Sequence, residues 1–210
     1  MDKNKIASYL LDIEAVQLNT KQLFTWASGI KSPIYCDNRK ILSFPAVRRA
    51  VRDEFAEYVK SYYPNVEIIA GVATGGIAIG VLVAEIMDLP FVYVRPKAKE
   101  HGLQNQIEGV LKKEQKVVVI EDLISTGGSS LKAVDALRKH KANVLGMIAI
   151  FTYNIPISVE NFKNQDCEFH TLTDFNTLND LAVEKNYIKN EDIEILNKWR
   201  KEFIPSRHQN

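Results

Sequence analysis

The stretch KVVVIEDLISTGGSSLKAVDALRKH, residues 116–140, carries the pattern that decides the fold. Its apolar, β-branched start predicts a buried strand over 116–121. A loop of small residues and two glycines follows. Residues 128–140 then have helical spacing and end in basic side chains, which suit the negative end of a helix. The order strand, loop, helix is typical of a unit in a parallel sheet.

Strands and helices alternate on both sides of this unit. We predict strands at 66–73, 91–95 and 143–152, helices at 4–17, 45–63 and 75–88, short strands and turns at 24–42, and a tail with a strand near 168–172 and helices near 174–186 and 190–203. Such alternation predicts a parallel sheet covered on both faces. We therefore expect an α/β fold with a mostly parallel, twisted sheet flanked by helices.

Composition limits the classes of function. The chain has 210 residues, which suits one domain, and its net charge of +1 gives no overall attraction to nucleic acid or to an anionic membrane. No stretch approaches the roughly 20 apolar residues that span a bilayer, and the N-terminus does not have the features of a signal peptide. Cys36 and Cys167 stand far apart, which is typical of reduced thiols. We expect a cytoplasmic protein with no nucleic acid or membrane partner.

The junction between strand and helix at 121–129 has the features of a phosphate site. Ligands of an open parallel sheet bind beyond the carboxyl ends of its strands, where Glu121 and Asp122 fall. The glycines allow the backbone to approach a ligand, and the helix start offers N–H donors and a positive dipole end. The loop residues with these properties are Ser125, Thr126, Gly127, Gly128 and Ser129.

Two well-known glycine loops and a plain helix cap fit this segment less well. A Walker P-loop requires a lysine after its glycines, and none follows here. A dinucleotide fingerprint requires GxGxxG, which neither this loop nor GVATGG at 71–76 supplies. A plain helix N-cap would account for TGGS alone, but not for a buried strand and two carboxylates directly ahead of it.

A long basic connection, residues 95–115, separates two predicted strands. It has no clear periodicity, and connections of this length are commonly functional lids or disordered segments. Its cationic start comprises Arg95, Lys97, Lys99 and His101. Such a segment could fold over a pyrophosphate, neutralise its charge and exclude water, with Gly102 and Gly109 allowing it to move.

The strand and the glycine loop together resemble the signature of a known enzyme family. VVVIEDLISTGGSS, residues 117–130, resembles the phosphoribosyl pyrophosphate signature of type I phosphoribosyltransferases. The resemblance implies that the acidic pair contacts the ribose hydroxyls and that the loop holds the 5′-phosphate. The residues assigned in this way to the phosphoribosyl donor are Arg95, Lys99, His101, Glu121, Asp122, Leu123, Ile124, Ser125, Thr126, Gly127, Gly128 and Ser129.

Within that family, the chain is similar to orotate phosphoribosyltransferases over about residues 1–203. K-x-H-G at 99–102 resembles their mobile catalytic loop, FTWASGIKSPIYCDNR at 24–39 their substrate hood, and GVATGG their pyrophosphate loop. The resemblance implies the type I phosphoribosyltransferase fold in one domain, 1–210. A small hood lies mainly in 1–42 with C-terminal support. It also implies a homodimer with shared active sites.

The resemblance further implies a reaction. Ribose 5-phosphate would pass from phosphoribosyl pyrophosphate to orotate, giving orotidine 5′-monophosphate and diphosphate in pyrimidine synthesis. Lys99, His101 and Asp122 are the expected catalytic residues, with the cations stabilising the leaving diphosphate. Mg²⁺ would arrive with the diphosphate rather than bind in a protein cage.

The orotate pocket departs from the family pattern. TWASG carries no lysine before its serine–glycine pair, Gly75 or Gly76 stands where many members have a lysine, and Pro96 follows Arg95 where many have a second cation. FTYN at 151–154 lacks the arginine that meets the orotate carboxylate. Ser125, Lys31 and Arg39 are our candidates for orotate, and backbone N–H groups of the hood are an alternative.

Three further functions stay open from the sequence. The departures leave room for a phosphoribosyltransferase of another pyrimidine or of a purine. A regulator that senses the donor and binds nucleic acid would need a basic module, but the cationic patch of Arg48, Arg49 and Arg52 fits a solvated helix face. A structural domain with a vestigial site would not need an intact acidic pair and basic loop.

Overall fold

The computed structural model describes residues 2–26, 28–96 and 106–203. Its helices are α1 (Lys3–Asp12), α2 (Pro45–Tyr62), α3 (Gly75–Met87), α4 (Gly128–Lys139), α5 (Pro156–Asn164), α6 (Phe175–Glu184) and α7 (Asn190–Lys201), with a 3₁₀ helix at Asn38–Ser43. Its strands are β1 (Val16–Leu18), β2 (Phe24–Thr25), β3 (Lys31–Ser32), β4 (Ile34–Cys36), β5 (Ile68–Val72), β6 (Phe91–Val94), β7 (Ile107–Glu108), β8 (Lys116–Ile124), β9 (Asn143–Thr152) and β10 (Phe169–Asp174).

Six strands form the central sheet in the order β10-β9-β8-β5-β6-β7. The first five run parallel, and only the short edge strand β7 is antiparallel to its neighbour. This arrangement confirms the predicted α/β fold with a mostly parallel sheet flanked by helices.

Apolar residues alternate between the two faces of the sheet because successive strand side chains point in opposite directions. In β5, Ile69 packs in the layer with α1, α2, α3 and α6, whereas Ile68 and Ala70 pack in the layer with α4 and Phe162 of α5. Both layers are apolar, so burial on two sides fixes the register of the central strands.

The N-terminal region forms two small antiparallel sheets, which we call the hood sheets. Val16 of β1 pairs with Cys36 of β4, and Phe24 of β2 pairs with Ser32 of β3. The C-terminal helix supports them, since Trp199 Nε1 donates to the Lys31 carbonyl over 3.2 Å. The division of the whole chain into one domain stays a prediction.

Two predictions about helices differ from the structure. The predicted helix 4–17 ends at Asp12, because Glu14 adopts a left-handed φ of 54° and the chain then enters β1. Helix α5 was not predicted, although Pro156 occupies its first turn, a position that suits proline. Within the described ranges, none of the helices combines the length and apolar character needed to cross a membrane.

Candidate active site

Strand β8 carries both acidic residues of the signature inside the sheet rather than at its end. The strand runs to Ile124, three residues further than the predicted 116–121. Neighbouring strand β9 keeps pairing with it as far as Ile124, whereas β5 pairs with it only as far as Ile120. The sheet therefore opens on one side of β8 beyond Ile120, beside the two carboxylates.

The Glu121 carboxyl group is buried and already has protein partners. Only 4% of the residue is exposed. Its Oε2 accepts from the Ser130 hydroxyl and its Oε1 from the Asp122 backbone N–H, each over 2.9 Å. Burial, and secondarily the Asp122 carboxylate, raises the pKa of Glu121 well above its ordinary value. Glu121 thus ties β8 to the first turn of α4.

The Asp122 side chain turns to the opposite face, toward the start of α3. A Cβ placed on Gly75 would lie 2.2 Å from Asp122 Oδ2, so the carboxylate sits directly over that glycine. The Asp122 backbone carbonyl accepts a hydrogen bond from Asn38 Nδ2 over 2.6 Å. The two carboxylates, adjacent in sequence, therefore contact different elements.

The loop after β8 turns into α4 through a left-handed glycine. Gly127 has a φ of 84° and caps α4, a conformation that glycine adopts without steric cost. The Thr126 carbonyl accepts from Asn161 Nδ2 of α5 over 2.9 Å, and the Phe162 ring packs against Gly127. The free N–H groups of the first turn of α4 form the donor set that favours an anion.

Leu123 and Ile124 end β8, and Gly128 and Ser129 begin α4. Ser125, Thr126 and Gly127 join the two elements. Leu123 and Ile124 pair with Phe151 and Thr152 of β9 and so anchor the loop to the sheet. Ser129 is exposed, whereas Thr126 is 8% exposed. The structure thus brings the whole predicted phosphate loop together.

The basic connection begins at the carboxyl end of β6, on the same side of the sheet as the carboxyl end of β8. Arg95 NH1 lies 3.6 Å from Glu108 Oε1 of β7. The Arg95 backbone N–H donates to the Gln106 carbonyl over 2.8 Å, and Gln106 Nε2 donates to the Arg95 carbonyl over 2.9 Å. Lys99 and His101, two of the predicted catalytic residues, lie outside the described residues, as does Lys97.

The two cations considered for orotate are engaged within the hood region. Lys31 Nζ donates to Thr25 Oγ1 across the β2–β3 hairpin over 2.7 Å. Arg39 Nε and NH2 donate to the two oxygens of Asp37 over 2.6 and 3.0 Å. Asp37, and to a lesser extent Asp122, raises the pKa of Arg39.

An aromatic cluster connects the hood to the end of β9. The rings of Trp26 and Tyr153 are 5.1 Å apart, and Trp199 contacts both, at 5.7 Å and 6.0 Å respectively. Tyr153 is 2% exposed and lies in the run FTYN, 151–154, which lacks the arginine expected from the resemblance. This run therefore contributes a buried aromatic residue to the cluster.

Sequence reasoning missed three residues that hold the site together. Asn38 belongs to the quoted CDNR run, and Ser130 ends the quoted signature, so both lay within recognised motifs without an assigned role. Asn161 lies on the unpredicted helix α5, and nothing in its local sequence indicates a contact with Thr126.

Comparison with known proteins places these features in a family. A protein-family model for the phosphoribosyl transferase domain matches residues 37–178. Orotate phosphoribosyltransferases of Cytophaga hutchinsonii and Enterococcus faecalis are 53% and 54% identical to the chain, and each match covers 94% of both proteins. The fold is similar to Leishmania donovani UMP synthase, with a TM-score of 0.79 at 26% identity. That match covers 97% of this chain and 43% of the longer one.

Proposed function

The chain belongs to the phosphoribosyltransferase family, and we propose that it transfers ribose 5-phosphate from phosphoribosyl pyrophosphate to orotate. Orotidine 5′-monophosphate and diphosphate are the products, as in pyrimidine nucleotide synthesis. The observation that carries this proposal is the likeness to orotate phosphoribosyltransferases along nearly the whole chain. The geometry of β8, its loop and α4 supports the same donor.

The donor would lie over the opened edge of β8. Its 5′-phosphate would accept hydrogen bonds from the N–H groups of the loop at Gly127 and of the first turn of α4. Asp122, which is half-buried and lies over Gly75, faces the side where β5 and β8 separate. We assign it to the ribose, where its negative charge would stabilise a cation-like anomeric centre. Glu121 would act mainly by fixing Ser130 and the backbone of Asp122.

The leaving diphosphate would be neutralised by Arg95, Lys99 and His101. Among the described residues, His, Cys, Asp and Glu side chains do not gather in groups of three that could hold a metal ion. An ion that keeps waters and phosphate oxygens as its ligands does not require such a group, and we do not assign Asp122 to it as a direct ligand. Mg²⁺ bound to the donor would supply further neutralisation of the diphosphate charge. Lys99 and His101 would complete that neutralisation from the protein side.

Orotate would enter between the hood and β8. Ser125 at the loop, and Arg39 beside Asp37, are the polar groups that we assign to it, with Lys31 as a further candidate on the hairpin. The run FTYN, 151–154, carries no arginine and its Tyr153 is buried, so hood backbone N–H groups would carry more of the carboxylate recognition.

A turnover assay with orotate and phosphoribosyl pyrophosphate tests the proposal. The expected result is orotate consumption that depends on the donor, with uracil, hypoxanthine and adenine as competing bases. Preference for one of those bases over orotate would favour another phosphoribosyltransferase. A folded sample that consumes none of the four would contradict the proposal.

The role of the basic connection has its own test. Replacing Lys99 by alanine should lower kcat by about 10²–10³-fold, because one well-placed donor to developing charge is lost. Lys113→Ala, in the same connection but beyond β7, is the matched control and should keep kcat. An unchanged kcat in the Lys99 variant would remove this residue from the mechanism.

We also propose a cytoplasmic homodimer with shared active sites. Cys36 and Cys167 are free, which suits a reducing compartment. On helix α3, Val81 and Ile86 are 43% and 42% exposed, and such apolar side chains could be covered by a second copy. Val81→Asp should shift sedimentation toward the monomer. Val159→Asp, at a 54% exposed valine on α5, is the matched control and should not. Equal behaviour of the two variants would contradict this choice of interface.

A further inference from the structure

Two asparagine side chains grip the backbone of the signature segment from opposite sides. Asn38 Nδ2 donates to the Asp122 carbonyl over 2.6 Å, and Asn161 Nδ2 donates to the Thr126 carbonyl over 2.9 Å. The first comes from the 3₁₀ helix after the hood and the second from α5, so they are 84 and 35 residues away from their acceptors. These contacts bracket the four peptide units that run from Asp122 to Thr126.

We propose that Asn38 and Asn161 are positioning residues of the transferase. Asn38 positions the hood, and so orotate, relative to the ribose bound at Asp122, and Asn161 positions the phosphate loop. This inference rests on the proposed function.

The Asn38 contact replaces a missing strand partner. Beyond Ile120, β5 has left β8, and the backbone on that side needs other donors. Asn38 is 2% exposed, and its Oδ1 accepts from the Cys36 thiol over 3.3 Å. Burial, with the nearby Asp122 and Asp37 carboxylates, raises the pKa of the Cys36 thiol, so it remains a donor at neutral pH. A continuous chain of hydrogen bonds thus links hood strand β4 to the strand that carries Asp122.

The Asn161 contact fixes the direction of a peptide unit. In a planar trans peptide, the carbonyl and the following N–H point in opposite directions. Because the Thr126 carbonyl points to α5, the Gly127 N–H points away from α5, into the turn that opens α4. Asn161 therefore holds a phosphate-binding N–H in place without touching the ligand.

The two contacts predict different kinetic defects. Loss of the Asn161 amide should raise the KM for phosphoribosyl pyrophosphate about tenfold, with the KM for orotate changed less than about twofold, since small misplacements of binding groups are costly. Loss of the Asn38 amide should lower kcat and raise the KM for orotate about tenfold, because the hood would no longer be held in a fixed position relative to Asp122.

The test compares Asn38→Ala, Asn38→Asp, Asn161→Ala and Asn161→Asp with the wild type. The aspartate variants keep the shape but lose the donor, so they serve if an alanine variant fails to fold. Asn179→Ala, at a 2% exposed asparagine of α6, is the matched control for general loss of packing. Calorimetric titration of every variant and of the wild type with phosphoribosyl pyrophosphate gives a second measure, independent of turnover.

The proposal is supported if the Asn161 variants raise mainly the KM for phosphoribosyl pyrophosphate and the Asn38 variants raise the KM for orotate. Binding of phosphoribosyl pyrophosphate should be weaker only in the Asn161 variants. Variants that behave like Asn179→Ala, or that change both KM values equally, would overturn it. Wild-type turnover of orotate is measured first. Its failure would contradict the proposed function, whereas normal wild-type turnover without the KM split would contradict only the roles of the asparagines.

Discussion

Replacing Gly127 by alanine should destabilise the protein strongly, because the new methyl group meets two obstacles. The backbone φ of 84° is left-handed, which costs an L-residue about 1–2 kcal/mol. The added Cβ would also lie 2.6 Å from Phe162 Cε2 and 3.1 Å from Phe162 Cδ2. Ordinary carbon contacts are about 3.5–4.0 Å, so the ring or the loop must shift by about 1 Å.

The expected loss of stability follows from the cost of the left-handed backbone and the cost of the contact with Phe162. Overpacking of a dense core costs about 1–3 kcal/mol, and Phe162 has little room, since it is 1% exposed and its ring lies 4.3 Å from that of Phe169. Alanine also reduces the conformational entropy of the unfolded chain, which offsets about 0.4–1 kcal/mol of this loss of stability. We expect a net loss of about 3 kcal/mol in the free energy of unfolding.

Gly29 provides a matched control for the backbone cost. Its φ is 83°, nearly the value at Gly127, yet a Cβ there would meet nothing within 4 Å. Gly29→Ala should therefore lose only about 1 kcal/mol. The difference between the two variants isolates the contact with Phe162.

Urea unfolding of both variants measures this difference, and a second substitution checks its cause. Phe162→Leu in the Gly127→Ala background should recover part of the loss, which a double-mutant cycle reports as a coupling energy. Equal stabilities of the two alanine variants, or a coupling of zero, would refute the reasoning. The Gly127 variant should also bind phosphoribosyl pyrophosphate more weakly, since its loop is displaced.

Strand β8 and the glycines beside it give three more tests. Glu121 has a raised pKa in the folded state, so the wild type should lose stability as pH rises above the ordinary value of 4.5. Glu121→Gln should show a smaller loss over the same rise in pH in urea unfolding, and parallel curves would contradict this. Gly75→Ala should lower kcat/KM at least about tenfold with little change in Tm, because the three atoms nearest to its Cβ belong to the Asp122 carboxylate, the end of a side chain; normal activity would show that this carboxylate can move harmlessly. Gly76→Ala should instead lower stability by about 3 kcal/mol, because its Cβ would lie 2.4 Å from the Ile120 backbone oxygen, and a Tm like that of the wild type would be the contrary result.

The local sequence was sufficient for the elements that depend on near neighbours. The apolar run of β8, the glycine that turns left-handed at 127 and the helical spacing after it are properties of adjacent residues, and the structure has the predicted strand, loop and helix there. The alternation of strands and helices predicted the parallel sheet for the same reason, since each element must bury one stripe or face.

The tertiary structure decided which groups meet across long separations. Glu121 and Asp122 form a pair in the sequence, but strand geometry sends one to Ser130 of α4 and the other over Gly75 of α3. The grip of Asn161 on the loop depends on a helix that packs back from beyond β9, and no local pattern encodes that approach. Backbone conformation is set largely by adjacent residues, whereas the partners of a buried polar group are set by where the whole chain brings donors and acceptors together.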